Sequence, residues 1–237
     1  MSQEKRFRGR MGDEYDFIRR VIPHFDQLQS QVGRELRRLK KSKPRILEIG
    51  CGDGLTTRSI LAQQAAATVV AIDSEPKMIA RAKKNLAAFI REGRCRVVLA
   101  DAQKYLAGQR SRSADAVASA MTLHNMTTTY RARLHRQIRR VLKPGGLFVN
   151  ADKYAPQDDR ERFAALRLAL RRFFHTFLPM RKYDLLEEWV LHNVADQAPD
   201  RVMKEADTLR ALRRAGFTRI RLGHRSNMEA VLVAVRP

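Results

Sequence analysis

ILEIGCGDGLTT, residues 46–57, sets a short apolar run directly before three glycines at alternate positions, Gly50, Gly52 and Gly54, with one carboxylate, Glu48, inside the run. Such a run reads as a buried strand, and glycines behind it read as a turn whose backbone must approach something closely. A phosphate loop would end in Gly-Lys-Ser/Thr, and this one does not, so nucleotide hydrolysis is unexpected. A dinucleotide fingerprint started at Gly50 would need glycine or alanine where Leu55 stands.

Working outward, the rhythm is strand, helix, strand. RILEI (45–49), TVVAID (68–73), CRVVLAD (95–101), ADAVASA (114–120) and GLFVNAD (146–152) read as strands, and 55–65, 76–90 and 129–142 as helices between them. This alternation implies a parallel sheet covered on both faces. After a Gly break at 216, strands near 218–223 and 229–235 would make an antiparallel edge pair. On the amino-terminal side, residues 1–12 read as a mobile leader and 15–40 as a helix bent or split at Pro23. An insertion at about 155–202 carries Phe163, Leu166, Leu170, Phe173, Phe174 and Phe177 on one helical face, and Leu185, Trp189, Val190 and Val194 indicate a second helix.

The next acids decide what the loop holds. In an open parallel sheet, ligands sit beyond the carboxyl ends of the strands. Asp73 closes the second strand, 19 residues beyond Gly54, where a carboxylate accepts both hydrogen bonds of a ribose diol. Asp101 closes the third, where it can take an amine proton from an adenine ring. Three strand ends describe one nucleoside.

Taken in order, ILEIGCGDG, VVAIDSEPKMIARAK, LADAQ, ADAVASAMTLHNM and RVLKPGGLFVNAD resemble the motifs of the class I S-adenosylmethionine-dependent methyltransferases, over roughly 45–152 and the final hairpin. The resemblance implies an α/β fold: a Rossmann-like, doubly wound, seven-stranded and mostly parallel sheet with an antiparallel edge hairpin. An N-terminal leader and helical cap (1–44) would precede a methyltransferase domain (45–237) that carries the insertion as a helical lid after strand five.

The cofactor implied is S-adenosyl-L-methionine. Gly50, Gly52 and Gly54 would let the backbone approach its methionine and ribose portions, and Glu48 would orient the loop and the amino end of methionine. Asp73 would bind the ribose hydroxyls. Ser74 or Glu75, with Met78, would line the adenine pocket, and Asp101 with Ala102 would read the adenine edge. Cys51 and Ser119 are assigned to the same site. For Met78, ordinary helix core is the competing reading.

On the acceptor side, methyl transfer from a sulfonium is an in-line displacement that mainly needs alignment and, for some acceptors, removal of a proton. His124, in the loop after strand four, is the candidate general base beside Asn125; a loop histidine that merely packs is the bland reading. His192 and Asp196 stand at i and i+4 on one helical face and can orient an acceptor or tune a base. Asp152 and Tyr154 follow strand five toward the same cleft, Trp189 belongs to the lid, and Tyr15 would close over the cofactor. His135, among arginines, reads as surface. The catalytic set is therefore His124, Asp152 and His192, and the acceptor set Tyr15, Asn125, Tyr154, Trp189 and Asp196. No metal-spaced His and carboxylate cluster stands near strands four and six, so no metal is expected. Ser-Ala-Met-Thr (119–122) replaces the Asn-Pro-Pro-aromatic tetrad of exocyclic-amine methyltransferases, which argues against adenine or glutamine amide nitrogen as acceptor.

The 237 residues suit one sizeable core, and no apolar stretch reaches the roughly 18–20 residues of a membrane span. With no secretory pattern at the start and two cysteines, Cys51 and Cys95, a cytoplasmic, reduced protein with no membrane partner is expected. The net charge of +22 would suit a phosphate-rich partner, yet residues 151–200, which hold the insertion, contain 8 basic and 9 acidic residues. A small-molecule acceptor is the first expectation, and tRNA or rRNA gripped by the arginines is the alternative. A further alternative is an enzyme of carboxylated S-adenosylmethionine or a non-catalytic relative, because YDFIRRVIPHFDQL (15–28) is similar to leaders near the uridine-oxyacetate tRNA pathway.

Overall fold

The computed structural model describes residues 10–237, so most of the leader expected at 1–12 lies outside the described residues. The seven strands are β1 (Arg45–Ile49), β2 (Thr68–Asp73), β3 (Cys95–Leu99), β4 (Ala114–Ala120), β5 (Leu142–Lys153), β6 (Thr218–Ser226) and β7 (Glu229–Val235). They form one sheet in the order β3-β2-β1-β4-β5-β7-β6. Pairing is parallel from β3 through β5, and β7 runs antiparallel to both β5 and β6. This is the Rossmann-like sheet with an edge hairpin that the sequence predicts. The chain leaves β1 toward β3 and restarts on the other side at β4. The crevice between the carboxyl ends of β1 and β4 is therefore the topological switch point, where such sheets bind ligands.

Alternation along the strands divides the core. Ile46, Val69, Ala118 and Val149 face one layer, and Leu47, Val117 and Phe148 the other. The amino-terminal part is broken into α1 (Arg10–Asp13), a 3-10 turn (Tyr15–Phe17), α2 (Ile18–Val21) and α3 (Phe25–Leu36). The break falls where Pro23 removes a backbone donor and His24 takes a left-handed φ of 55°. Val32 and Leu36 of α3 are fully buried in the first layer, packed with Ile60 and Leu61 of α4 (Leu55–Gln63).

The helix expected at 76–90 splits into α5 (Pro76–Asn85) and α6 (Ala87–Arg91), and a helix not foreseen, α7 (Ala102–Ala107), follows β3. Its N-cap is Asp101, whose carboxylate accepts the Lys104 amide. The second layer is completed by α8 (Thr128–Val141), capped by Thr127.

The insertion forms α9 (Asp159–Phe177) and α10 (Tyr183–Ala195), after which α11 (Glu205–Arg214) leads into the hairpin. Phe173 and Phe177 are buried with Trp189, but Phe163 and Phe174 are exposed, which corrects the single aromatic face read for the insertion. Adjacent helix positions point about 100° apart, so Phe173 and Phe174 cannot both enter one core. His135 is also corrected: it is buried on α8 against Phe148, where burial pushes its imidazole down to about 4. Among the described residues, no helix is long and apolar enough to cross a membrane.

Candidate active site

The glycine loop is built by backbone bonds to the neighbouring strand. The amides of Gly50 and Cys51 both donate to the Ile72 carbonyl, at 2.8 and 3.0 Å. Gly50 sits at φ +68°, and a Cβ there would lie 2.2 Å from Thr122 on the loop after β4. The two strand-end loops thus pack against each other at a position only glycine fills. Gly54 caps α4.

Asp73, at the tip of β2, accepts the Gly52 amide on Oδ2 and the Glu75 amide on Oδ1, each at 2.9 Å. Burial raises its carboxyl, and these backbone bonds oppose that rise. The carboxylate keeps acceptor capacity toward the cleft for a ligand's hydroxyls.

Beyond the loop opens a cleft enclosing about 1060 Å³ of empty space, part of it continuous with solvent. Gly50, Cys51, Gly52, Asp73, Ser74 and Met78 form one wall, with Ala100 and Ala102 from the end of β3. The opposite side is made by Tyr15, Phe25 and Gln29 from the amino-terminal cap and by Met121, Thr122, Asn125 and Met126 from the β4 loop. Met121 holds a left-handed φ of 49° while its amide donates to the Ala151 carbonyl at 2.8 Å, so this wall is fixed from behind. Burial, together with Asp53, Asp73 and Cys51, raises the Tyr15 hydroxyl, which remains protonated and able to donate.

Among the described residues, the charged side chains lining this cleft are Asp53, Asp73 and Glu75, and no arginine or lysine lines it. Thr56, Gln29 and Phe25 are lining residues that sequence reasoning missed. Gln29 accepts the Thr56 hydroxyl across the α3 and α4 pairing, a contact between segments 27 residues apart that no local pattern announces.

Other expected residues lie behind the walls. Glu48 is fully buried and accepts the Thr57 hydroxyl at 2.5 Å; burial pushes its carboxyl up to about 8. It braces the loop from the core and does not line the cleft. Ser119 gives its hydroxyl to the Ile49 carbonyl at 2.9 Å, inside the sheet. Asp101 is taken by the α7 cap and by the Tyr130 hydroxyl at 2.7 Å, leaving its neighbours Ala100 and Ala102 on the cleft. Tyr154 exchanges hydrogen bonds with Asn150 in the second core layer, and Trp189 packs on Phe173 at 5.7 Å between ring centroids. Neither reaches the cleft. Tyr15 and Asn125 do.

His124, Asp152, His192 and Asp196 come together, but away from the cleft, in a buried polar cluster between the β4 loop, β5 and α10. The two rings meet edge to face at 6.3 Å between centroids. His124 Nδ1 lies 2.5 Å from Asp152 Oδ1, and its Nε2 faces Asp196 Oδ2 at 3.9 Å. Neither nitrogen addresses the cleft, which corrects the geometry expected of a general base. Asp152 also accepts the Leu123 and Lys153 amides, and the His124 contact with these bonds holds its carboxyl below the usual range despite burial. Lys153, not singled out from sequence, donates to Asp196 at 3.1 Å and to Asn193 at 3.3 Å. The sequence spacing gives no sign of this convergence, because His124 and His192 stand 68 residues apart, with Asp152 on a third element between them.

Residues 46–146 match the family model described as a methyltransferase domain. This match, the sheet order and the glycine loop agree with the resemblance to the class I S-adenosylmethionine-dependent methyltransferases. Among curated proteins, the chain is 28% identical over 146 residues to a carboxy-S-adenosyl-L-methionine synthase of Vibrio atlanticus, covering 61% of this chain and 59% of that protein. Among solved structures, it resembles an O-methyltransferase family protein from Burkholderia thailandensis at a TM-score of 0.66 and 18% identity, over 99% of this chain and 63% of that one. A Nostoc punctiforme chain of O-methyltransferase type gives a TM-score of 0.66 at 16% identity, over 93% of this chain and 59% of that one.

Proposed function

We propose that the protein transfers the methyl group of S-adenosylmethionine, in line, to an uncharged or cationic small molecule enclosed between the amino-terminal cap and the β4 loop. The observation that carries this reading is the charge of the cleft: among the described residues, three carboxylates and no basic side chain line it, in a chain of net charge +22. A sulfonium donor is a cation, and carboxylates at short range favour it. A polyanion meets the opposite field at the mouth, so the arginines outside do not argue for an RNA acceptor.

In this reading Asp73 holds the ribose hydroxyls, the loop at Gly50–Gly52 lies along the donor, and Met78 with Ala102 flanks the adenine. Tyr15, Thr122 and Asn125 bring polar groups to the acceptor side. Catalysis is alignment of donor and nucleophile with exclusion of water, and needs no base from the His124 cluster.

A second reading follows from the curated relatives, whose name concerns carboxylated S-adenosylmethionine. Against it, a donor bearing an extra carboxylate finds no cation on the cleft wall among the described residues. Calorimetric titration of the full chain with S-adenosylmethionine, with its carboxylated form and with bulk tRNA separates the readings. Preference for the uncarboxylated donor by about tenfold or more, with no tRNA binding at physiological salt, is expected. Tighter binding of the carboxylated donor, or tRNA binding that survives that salt, would overturn the proposal.

A further inference from the structure

We infer that His124, His192 and Asp196 form a site for one divalent transition metal ion, with zinc the ion their chemistry suits, fastening helix α10 to the loop after β4. One ligand atom from each of the three lies within 4.8 Å of the others. His192 and Asp196 stand one turn apart on α10, with Nε2 3.8 Å from Oδ2, and His124 Nε2 approaches the same oxygen at 3.9 Å. Tetrahedral ligands around zinc at their usual bond lengths are separated by about 3.4 Å. The carboxylate edges therefore need to contract by about half an ångström, which side-chain rotation supplies.

The surroundings are those of a metal ligand. Metal-binding imidazoles generally give their other nitrogen to a carboxylate, which fixes the tautomer and aims the free lone pair at the ion. His124 has that arrangement: Nδ1 is engaged by Asp152 at 2.5 Å, and Asp152 is itself held by the Leu123 amide at 2.8 Å. With Nδ1 so engaged, Nε2 is the ring atom that faces the Asp196 carboxylate. Two imidazoles and one carboxylate are a donor set for zinc and its first-row neighbours, and not for calcium or magnesium.

Among the described residues, the Lys153 ammonium stands against Asp196, at 3.1 Å. An incoming ion must displace it, and the fold provides somewhere for it to go. Glu229 faces Lys153 across the β5 and β7 pairing, and its buried Oε2 has no hydrogen-bond partner. Metal entry and a swing of Lys153 from Asp196 to Glu229 would satisfy both carboxylates. Because Asn125 of the cleft wall follows His124 directly, an ion here would stiffen the acceptor side without touching the acceptor.

The test is titration of Co²⁺ into the untagged, chelator-treated full chain, read by visible absorption and confirmed by elemental analysis after zinc loading. One ion per chain is expected, with the band lost or weakened on the order of 100-fold in His192→Ala and in Asp196→Asn. Lys153→Met removes the competing ammonium and is expected to tighten binding by about tenfold, a result that damage to the fold would not give. S-adenosylhomocysteine binding, measured in parallel, reports folding and tests the donor site separately. Absence of a Co²⁺ band at micromolar concentration, a band indifferent to His192→Ala, or weaker binding in Lys153→Met would overturn the inference.

Discussion

Asp73 holds the glycine loop from the next strand: its Oδ2 accepts the amide of Gly52, 21 residues earlier in the chain, at 2.9 Å. One carboxylate therefore shapes the loop and faces the cleft. Asp73→Ala removes both roles and is expected to weaken S-adenosylhomocysteine binding by about 10- to 100-fold, the scale of one or two charge-assisted hydrogen bonds. Isothermal calorimetry measures it, and unchanged affinity would remove Asp73 from the donor site.

Gly50 and Thr122 share a space that admits only one side chain. With a positive φ and a Cβ 2.2 Å from Thr122, Gly50→Ala should cost about 2–4 kcal/mol in urea unfolding. Adding Thr122→Ala should restore part of that loss, since the clash is relieved while the left-handed backbone is not. Strict additivity of the two changes would contradict the contact.

Glu48 gives the folded protein a pH dependence of definite sign. Burial pushes its carboxyl from the ordinary 4.5 up to about 8, so between those values the folded state holds a proton that the unfolded chain has released. Its effect on stability is thus most favourable below the lower value and is lost as pH rises through the upper one, by at most about 5 kcal/mol. Urea midpoints of the wild type relative to Glu48→Gln should fall across this window. Parallel pH profiles would show that Glu48 is already ionised in the fold.

Asp152 has the opposite sign. Its carboxyl is held below the usual range chiefly by His124, against the cost of burial, so its contribution is present above the ordinary carboxylate range and disappears as pH falls through the lowered value. Asp152→Asn should destabilise the protein by about 2–4 kcal/mol at neutral pH, with a smaller difference in acid. A variant as stable as the wild type at pH 7 would contradict this.

Tyr15 places a hydroxyl over Gly52, 3.6 Å from where a Cβ would stand. Tyr15→Phe should weaken S-adenosylhomocysteine binding by about 5- to 10-fold, one hydrogen bond's worth. Because burial keeps the hydroxyl protonated, the loss should be the same from pH 6 to 9. A loss that grows with pH would mean that the phenol ionises.

The sheet was legible because strands buried on both faces write themselves as short apolar runs, and ILEI, VVAI and AVASA are such runs. The loop was legible because Gly50 and Asp73 act at strand tips, where spacing along the chain translates into proximity. Residues that depend on packing between distant elements were not. Gln29 enters the cleft because α3 lies on α4, and Asp101 is turned from the cleft by Tyr130, 29 residues away. Its cap role could have been read from Asp101 preceding Ala-Gln-Lys, a residue type favoured before a helix. His124 and His192 each stand out in the sequence, but their meeting depends on how the insertion packs against the loop after β4, which neither segment encodes locally.

The central claim is that the cleft between β1 and β4 binds the adenosyl donor. Titration calorimetry of the full chain with S-adenosylhomocysteine tests it most directly. One site per chain with micromolar or tighter affinity, lost in Asp73→Ala while that variant remains folded, is the expected result. A folded wild-type protein that gives no heat and no shift in thermal midpoint with either S-adenosylhomocysteine or S-adenosylmethionine would contradict it.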